Sequence, residues 1–450
     1  MSRLSNKSTI ITPNIVQNIK YICSALFIIA LTHSIVYAQS GKIIITCVFD
    51  GPLTGGKPKV IELFVREDIS NLDDYGIERC ANGNNCDATP DYTSMDGSAS
   101  AGTYIYLAQE GSSDGSFLTF FGFNADYYSV GAANINGNDV VELQYTSDDG
   151  SSWTAIDIFG AEGTDGTGQS WEYLDSWAKS KPLRTTATTF SSSNWNYGSP
   201  NALDDESTNA AASTPFPIGG APIKGDDGFR MMSSPVDGTV YNNILDPLWI
   251  QGMTNGDAAG GTANVWTYDA STPEWSALSN LNSASLTAGQ GFLVFVYSDI
   301  DFDDDDDISS SKAIELYVTG QENQAPVTIS TTASEWNLLG NPFRVTIDAD
   351  QLFTDNSNYT SVVYVYDHTT NSATSPDAVE EWGVGIYRVW NNSGTGSLTN
   401  GLIAPYQGFW IQSGASGTSF DFTSSCKSSS ARSEERRVGK ECRSRWSPYH

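Results

Sequence analysis

The densest group of chemically useful side chains is the acidic run DIDFDDDDD at 299–307. Four of its carboxylates, Asp299, Asp301, Asp303 and Asp305, recur at alternate positions, and carboxylate oxygens are ligands that Ca²⁺ prefers. The run lacks the glycine and the closing glutamate of an EF-hand loop, and charges this close together repel one another. The sequence therefore leaves two interpretations open, a calcium site and a solvated loop.

Residue types that commonly perform catalysis are scarce. The chain has three histidines, and only His368 lies outside the two terminal segments. It directly follows an aromatic strand, as a turn residue would, and a single histidine excludes a histidine-rich zinc site. Glu62 and Glu142 each lie in an alternating strand, and nothing in the sequence brings them to one cleft, as general acid–base catalysis requires. We therefore expect no catalytic residues, no enzyme, and no cofactor apart from the possible Ca²⁺.

Two cysteines, Cys80 and Cys86, enclose the flexible stretch Ala-Asn-Gly-Asn-Asn. In an oxidising compartment such a pair closes a small disulfide loop. A loop this short constrains the unfolded chain only weakly, so the bond would mainly shape the loop. Zinc is a poor alternative, because the sequence holds no second closely spaced cysteine pair.

The overall charge and the N-terminus indicate the compartment. The formal net charge is −30, and so acidic a surface repels phosphate backbones, so we expect no nucleic-acid partner. Residues 1–38 carry a basic region, a short apolar run and small residues before Ala38, the pattern of a secretory signal peptide. A membrane anchor is the alternative, although the apolar run is short for a span. We expect a secreted chain with no transmembrane segment after cleavage.

The C-terminal segment differs from the rest of the chain. Residues 432–450 read RSEERRVGKECRSRWSPYH and are basic, whereas the remainder is acidic. They resemble the translation of a sequencing adapter, so we expect a non-native tail and a native C-terminus that is missing. A genuine basic tail is the alternative.

One block occurs twice in the second half. Each copy has a strand that ends near a proline (Pro235 or Pro342), an aromatic strand that ends in aspartate, and a Gln-Gly-Phe strand. Such duplication indicates two structural units of one plan, which we place at 223–319 (repeat 1) and 320–431 (repeat 2). The glycine of Gln-Gly-Phe predicts a bulge or a close backbone contact.

The segment upstream predicts a separate β-sandwich over 40–200, here called the first module. It consists of short apolar or alternating runs separated by Gly, Asn and Asp clusters. Its motifs resemble those of the lamin-tail domain, carried by Val60–Phe64, Asn138–Leu143, Ile156–Gly160 and Gln169–Glu172. The resemblance implies an immunoglobulin-like sandwich that binds or docks without catalytic residues, and the insert around Cys80 departs from the family pattern. Residues 201–222, rich in Ala, Ser, Thr, Asn and Pro, are interpreted as a linker.

Repeat 2 resembles a module common near the C-terminus of surface proteins that the bacterial type IX secretion system exports. The residues that carry the resemblance are Trp336–Phe343, Val363–Asp367 and Ile403–Phe409. In such proteins a sorting domain usually follows and directs export and anchoring. The resemblance therefore implies export to the outer cell surface.

Tryptophans leave a carbohydrate-binding interpretation open, because exposed indoles can stack on sugar rings, although strand tryptophans more often pack in cores. Those considered are Trp153, Trp171, Trp177, Trp195, Trp249, Trp266 and Trp275. Together the patterns predict an all-β protein with an immunoglobulin-like sandwich followed by two related β-sandwich modules. We expect a non-catalytic role in binding or display at the cell surface, with an unknown protein or glycan as partner. The alternatives are a carbohydrate-binding accessory protein and the non-catalytic part of a truncated extracellular hydrolase or nuclease.

Overall fold

The computed structural model describes residues 41–368, 385–393, 396–398 and 400–429. Its named strands form antiparallel pairs, which confirms the predicted all-β fold class. Among the described helices, none has the length and apolar character needed to cross a bilayer. The predicted signal peptide and the predicted non-native tail lie outside the described residues.

The first module is a sandwich of two sheets. The larger sheet has the order β4-β2-β1-β7-β8; its strands are β1 (Ile43–Leu53), β2 (Lys57–Val65), β4 (Tyr104–Ala108), β7 (Trp177–Ser180) and β8 (Trp195–Tyr197). The smaller sheet has the order β3-β5-β6; its strands are β3 (Tyr75–Cys80), β5 (Val140–Tyr145) and β6 (Thr154–Phe159). Apolar side chains such as Ile45, Leu63 and Leu143 form one core between the sheets.

The larger sheet is also covered on its other face. This face carries Phe49, which packs against Phe120 and Phe121 of helix α1 (Ser116–Phe121). The ring of Phe216 lies 5.7 Å from that of Phe49. Because both faces of the sheet are buried, β1 is a near-continuous apolar run rather than an alternating one.

The segment 201–222, predicted as a linker, is packed against the first module. Phe216 and Ile218 are buried, and the Asn209 side chain bonds to both backbone groups of Phe216 at 2.8 and 2.9 Å. The segment ends in strand β9 (Ala221–Lys224), which pairs with β14 (Ala313–Leu316). A strand with so distant a partner gives no local periodic signal in a stretch rich in small and polar residues.

Repeat 1 and repeat 2 follow one plan. Repeat 1 continues from β9 with β10 (Gly228–Met232), α2 (Asn242–Leu245), β11 (Val265–Asp269), β12 (Glu274–Ala277), β13 (Phe292–Val296) and β14. Repeat 2 contains β15 (Val327–Ser330), β16 (Trp336–Gly340), β17 (Ile347–Asp348), α3 (Ala349–Asp355), β18 (Val363–Asp367), β19 (Ile386–Trp390), β20 (Leu402–Ile403), β21 (Gly408–Gln412) and β22 (Ser419–Phe422). The order β10-β13-β11-β12 (sheet 1) matches β16-β21-β18-β19 (sheet 2), and the flanking pair β9·β14 matches β15·β22. The pair β17·β20 is an addition in repeat 2.

The two repeats contact each other through equivalent atoms. The N–H of Ser233 donates to the carbonyl of Tyr406 at 2.8 Å, and the N–H of Gly340 donates to the carbonyl of Gly289 at 2.9 Å. Ser233 and Gly340 occupy the same position in the two copies, as do Tyr406 and Gly289. Such reciprocity is the pattern of an isologous interface, so a pseudo-two-fold axis relates the repeats.

The glycine of each Gln-Gly-Phe motif lies at this axis. A Cβ atom at Gly291 would lie 2.5 Å from the carbonyl oxygen of Leu339, and one at Gly408 would lie 3.0 Å from that of Met232. Both distances are shorter than ordinary van der Waals contact, so only glycine lets the backbones approach this closely. The close backbone contact predicted from the motif is confirmed.

Candidate functional site

Sheets 1 and 2 each carry an aromatic outer face. In sheet 1, Met231 pairs with Leu293 and Leu293 pairs with Trp266, so these three side chains lie in one row. Side chains alternate along a strand, so their neighbours Phe292 and Val265 point the other way, into the core of repeat 1. The outer faces meet where β10 packs on β18 and β11 packs on β16.

A cleft of about 420 Å³ lies between these outer faces. It is lined by Phe229, Met231, Trp266, Trp275, Leu293, Tyr366 and Tyr387. The tyrosines come from repeat 2 and the other residues from repeat 1, so neither repeat forms the cleft alone. Its volume falls in the range of small-molecule sites, about 300–1,000 Å³.

The mouth of this aromatic cleft exposes ring surface. The side chain of Trp275 is 41% exposed and that of Tyr387 is 46% exposed. The rings of Tyr366 and Tyr387 are 5.3 Å apart in an edge-to-face arrangement. Trp410 packs on Trp275 from the side, with ring centroids 5.8 Å apart. Packing therefore holds the rings in place while part of their surface stays open to a ligand.

Charged and titratable groups follow the two lining tyrosines in sequence. Arg388 donates to the carboxylate of Asp367, next in sequence to the two lining tyrosines. His368 lies beside Gly228 and Arg230 of repeat 1. Burial and the charge of Arg230 lower the pKa of His368 to about 4, so its imidazole is uncharged at neutral pH.

The chemistry that this lining supports is binding by stacking. It offers ring faces, two phenol hydroxyls for hydrogen bonds and, among the described lining residues, no pair of carboxylates for acid–base work. A ligand with flat apolar surface and polar edges suits such a site.

Comparison with known proteins gives one partial match. A family model described as a domain of unknown function (DUF8693) matches residues 309–441. This stretch includes every described strand of repeat 2 and the last strand of repeat 1. No curated protein and no solved structure matches the chain.

The acidic run gathers only some of the predicted calcium ligands. Carboxylate oxygens of Asp299, Asp301 and Asp307 lie within 4.8 Å of one another, a group that includes neither Asp303 nor Asp305. The pKa of Asp301 is raised by loss of hydration and by the neighbouring carboxylates. Such repulsion would be relieved by a cation, but acidic surface loops commonly lack one, so calcium binding there stays a prediction.

The remaining candidates of the first module lie apart from the aromatic cleft. Cys80 and Cys86 form a disulfide, with their Cα atoms 4.8 Å apart. Glu62 is fully buried in β2 and pairs with Lys179, whereas Glu142 in β5 accepts a hydrogen bond from Gln144. The two carboxylates belong to different sheets with separate partners, so the structure does not bring them together.

The tryptophans divide into buried and accessible groups. Trp171, Trp177 and Trp195 of the first module are each 4% exposed and pack in cores. Those packing roles leave little ring surface for a sugar. Of the seven tryptophans named from the sequence, Trp266 and Trp275 of repeat 1 line the aromatic cleft.

The sequence indicates those two tryptophans as candidates but not the repeat 2 half of the site. Tyr366 lies in the aromatic strand of repeat 2, and alternation in that strand was visible. The sequence does not show that the outer faces of sheets 1 and 2 lie opposite each other, because that arrangement depends on the two-fold contact between the repeats. The duplication itself was the available signal, since two copies of one unit often pack symmetrically.

Proposed function

We propose that this chain is a secreted cell-surface protein that binds a glycan without catalysis, in the aromatic cleft between repeats 1 and 2. The observation that carries the proposal is the cleft itself, in which Trp275 and Tyr387 present open ring surface from two different repeats. A sugar ring has an apolar face for stacking and hydroxyls at its edge. The phenols of Tyr366 and Tyr387 are suited to bond those hydroxyls.

The experiment is a glycan array probed with the full chain, followed by titration of the strongest hit. Replacing Trp275 by alanine removes an open stacking surface, and we expect affinity to fall at least tenfold, which corresponds to about 1.4 kcal/mol. Trp336→Ala is the matched control, because Trp336 is 38% exposed on sheet 2 yet does not line the cleft. Equal losses in both variants, or no glycan bound at all, would contradict the proposal.

The compartment and export route belong to the same proposal. The signal-like residues 1–38, the Cys80–Cys86 disulfide and the resemblance of repeat 2 to type IX cargo modules support export to the outer surface. The two-sheet architecture of the first module supports a lamin-tail-like docking role. Protease treatment of intact producing cells should remove the protein from the surface, and protection until lysis would contradict this location.

We expect the aromatic cleft to bind its ligand without catalysing a reaction. The purified full chain is expected to leave polysaccharides and phosphodiesters intact. Degradation that Trp275→Ala abolishes would show that the cleft is an active site rather than a binding site.

A further inference from the structure

A buried cluster of charged residues joins the first module to repeat 1, away from the aromatic cleft. The Nζ atom of Lys179 lies 2.5 Å from Oε1 of Glu62 and 2.6 Å from Oε1 of Glu315. The side chains of Lys179 and Glu62 are fully buried, and that of Glu315 is 6% exposed. Burial of three charged groups costs several kcal/mol per ion before their attraction is counted, so the arrangement calls for a reason.

The strands fix this geometry. Cys47 of β1 pairs with Glu62 of β2 on one side and with Lys179 of β7 on the other. Glu62 and Lys179 therefore lie in register across the central strand, with side chains on the same face. Glu315 comes from β14 of repeat 1, and the N–H of Gly219 donates to Glu62 at 2.9 Å.

The surroundings exclude water and are largely aromatic. The ammonium of Lys179 lies 5.2 Å from the ring centre of Tyr317, 5.7 Å from that of Tyr104 and 6.0 Å from that of Phe216. Cys47 and Tyr104 are also buried beside the cluster. In so apolar a site an isolated charge is strongly disfavoured, so the Lys179 ammonium depends on its contacts with the two carboxylates.

From this geometry we infer that Lys179 and Glu315 form an intramolecular amide bond that links the first module covalently to repeat 1. Glu62 accepts a proton from Lys179, and the loss of that proton makes Nζ a nucleophile. Glu315 supplies the carbonyl carbon. Holding an amine and a carboxyl group in contact in a dry site supplies the proximity that such a condensation needs. The inference is independent of glycan binding.

The carboxylates are suited to different roles. Burial raises the pKa of Glu315 to about 7 despite the charge of Lys179, which favours the protonated acid that an amine can attack. Burial also opposes ionisation of Glu62, but Lys179 and the donors Gly219 and Thr46 outweigh it and lower the pKa of Glu62. Glu62 is thus the carboxylate that remains charged and available as the base.

The step balances without any co-reactant. Lys179 ammonium transfers a proton to Glu62, and the free Nζ attacks Cδ of protonated Glu315. The C–N bond forms as the C–O bond to hydroxyl breaks, and one water leaves. The products are the amide, water and protonated Glu62. The same carboxylates that activate Lys179 also raise its pKa above the usual range, so we expect slow bond formation after folding.

Tryptic peptide mapping of the full chain by mass spectrometry tests the inference. We expect the peptide with Lys179 to be joined to the peptide with Glu315, with a combined mass smaller by one water, and no cleavage after Lys179. Lys59 is the internal control, because it is also buried and pairs with Asp50 at 2.7 Å. Its second contact is a backbone carbonyl and not a second carboxylate that could act as the base, so Lys59 should stay unlinked. Unlinked Lys179 and Glu315 peptides in the folded wild-type chain would overturn the inference, and a bond from Lys179 to Glu62 would overturn the assignment of Glu315.

A variant then tests the role of Glu62. Glu62→Gln keeps Lys179 and Glu315 but removes the base, and we expect the linked peptide to disappear or to form at least tenfold more slowly. Circular dichroism confirms that the variant is folded before its peptides are compared. Should the variant unfold, the rate of linkage in refolded wild-type chain at pH 5 and pH 8 tests the attacked group instead. The pKa of Glu315 is about 7, so its acid form is depleted at pH 8 and linkage should be slower there. A rate that is not lower at pH 8 would contradict attack on protonated Glu315.

Discussion

The pseudo-two-fold contact between the repeats predicts a specific loss of stability when Gly291 is replaced by alanine. The new Cβ would lie 2.5 Å from the carbonyl oxygen of Leu339 and 2.9 Å from Cγ of Leu338, so the repeats must move apart. Overpacking of this kind costs about 1–3 kcal/mol. Part of that cost is offset, because alanine lowers the entropy of the unfolded chain, a gain of about 0.4–1 kcal/mol.

A matched glycine in the same repeat separates these two effects. A Cβ at Gly260 would meet nothing within 4 Å, so Gly260→Ala brings the entropic gain without a clash. Urea denaturation should therefore give a free energy of unfolding about 1–3 kcal/mol lower for Gly291→Ala than for Gly260→Ala. Equal free energies of unfolding for the two variants would refute the close contact on which the aromatic cleft depends.

Three further predictions concern other parts of the chain. Asp301→Asn should weaken calcium binding measured by calorimetry at least tenfold, and absence of any binding by the wild type would show that the acidic run is a solvated loop. Cys80→Ser should lower the free energy of unfolding by about 2 kcal/mol, the chain-entropy value for so short a loop, and a loss equal to zero would argue against a stabilising bond. The pKa of His368 is about 4 in the folded chain, below the unfolded value of 6.5. Between these two pH values the unfolded chain therefore binds more protons than the folded chain. Wild-type stability should consequently fall as the pH falls from 6.5 to 4. His368→Gln should flatten that part of the stability curve, and an unchanged slope would contradict the assignment.

Local patterns predicted much of the fold because the information was local. Alternation in β5 and the apolar run of β1 marked strands, and the duplicated landmarks predicted two units of one plan, which the matching strand orders of sheets 1 and 2 bear out. The glycine of the Gln-Gly-Phe motif predicted a close backbone contact before its partner was known. These inferences depend on residues within a few positions of one another.

Features that depend on distant pairings escaped sequence analysis. The predicted linker 201–222 includes the first half of strand β9, because the strand's partner β14 lies at the far end of repeat 1. Nothing near Lys179 in sequence indicates that its side chain contacts Glu62 and Glu315. The aromatic cleft likewise forms only where sheets 1 and 2 lie opposite each other. The alternation of side chains within one strand does not reveal this arrangement.

The most direct test of the proposed binding site is a crystal structure of the full chain with the strongest glycan-array hit bound. We expect a sugar ring in the aromatic cleft, stacked on Trp275 and within hydrogen-bonding distance of the Tyr387 hydroxyl. A glycan bound on the first module, with the cleft free of it, would contradict the proposal.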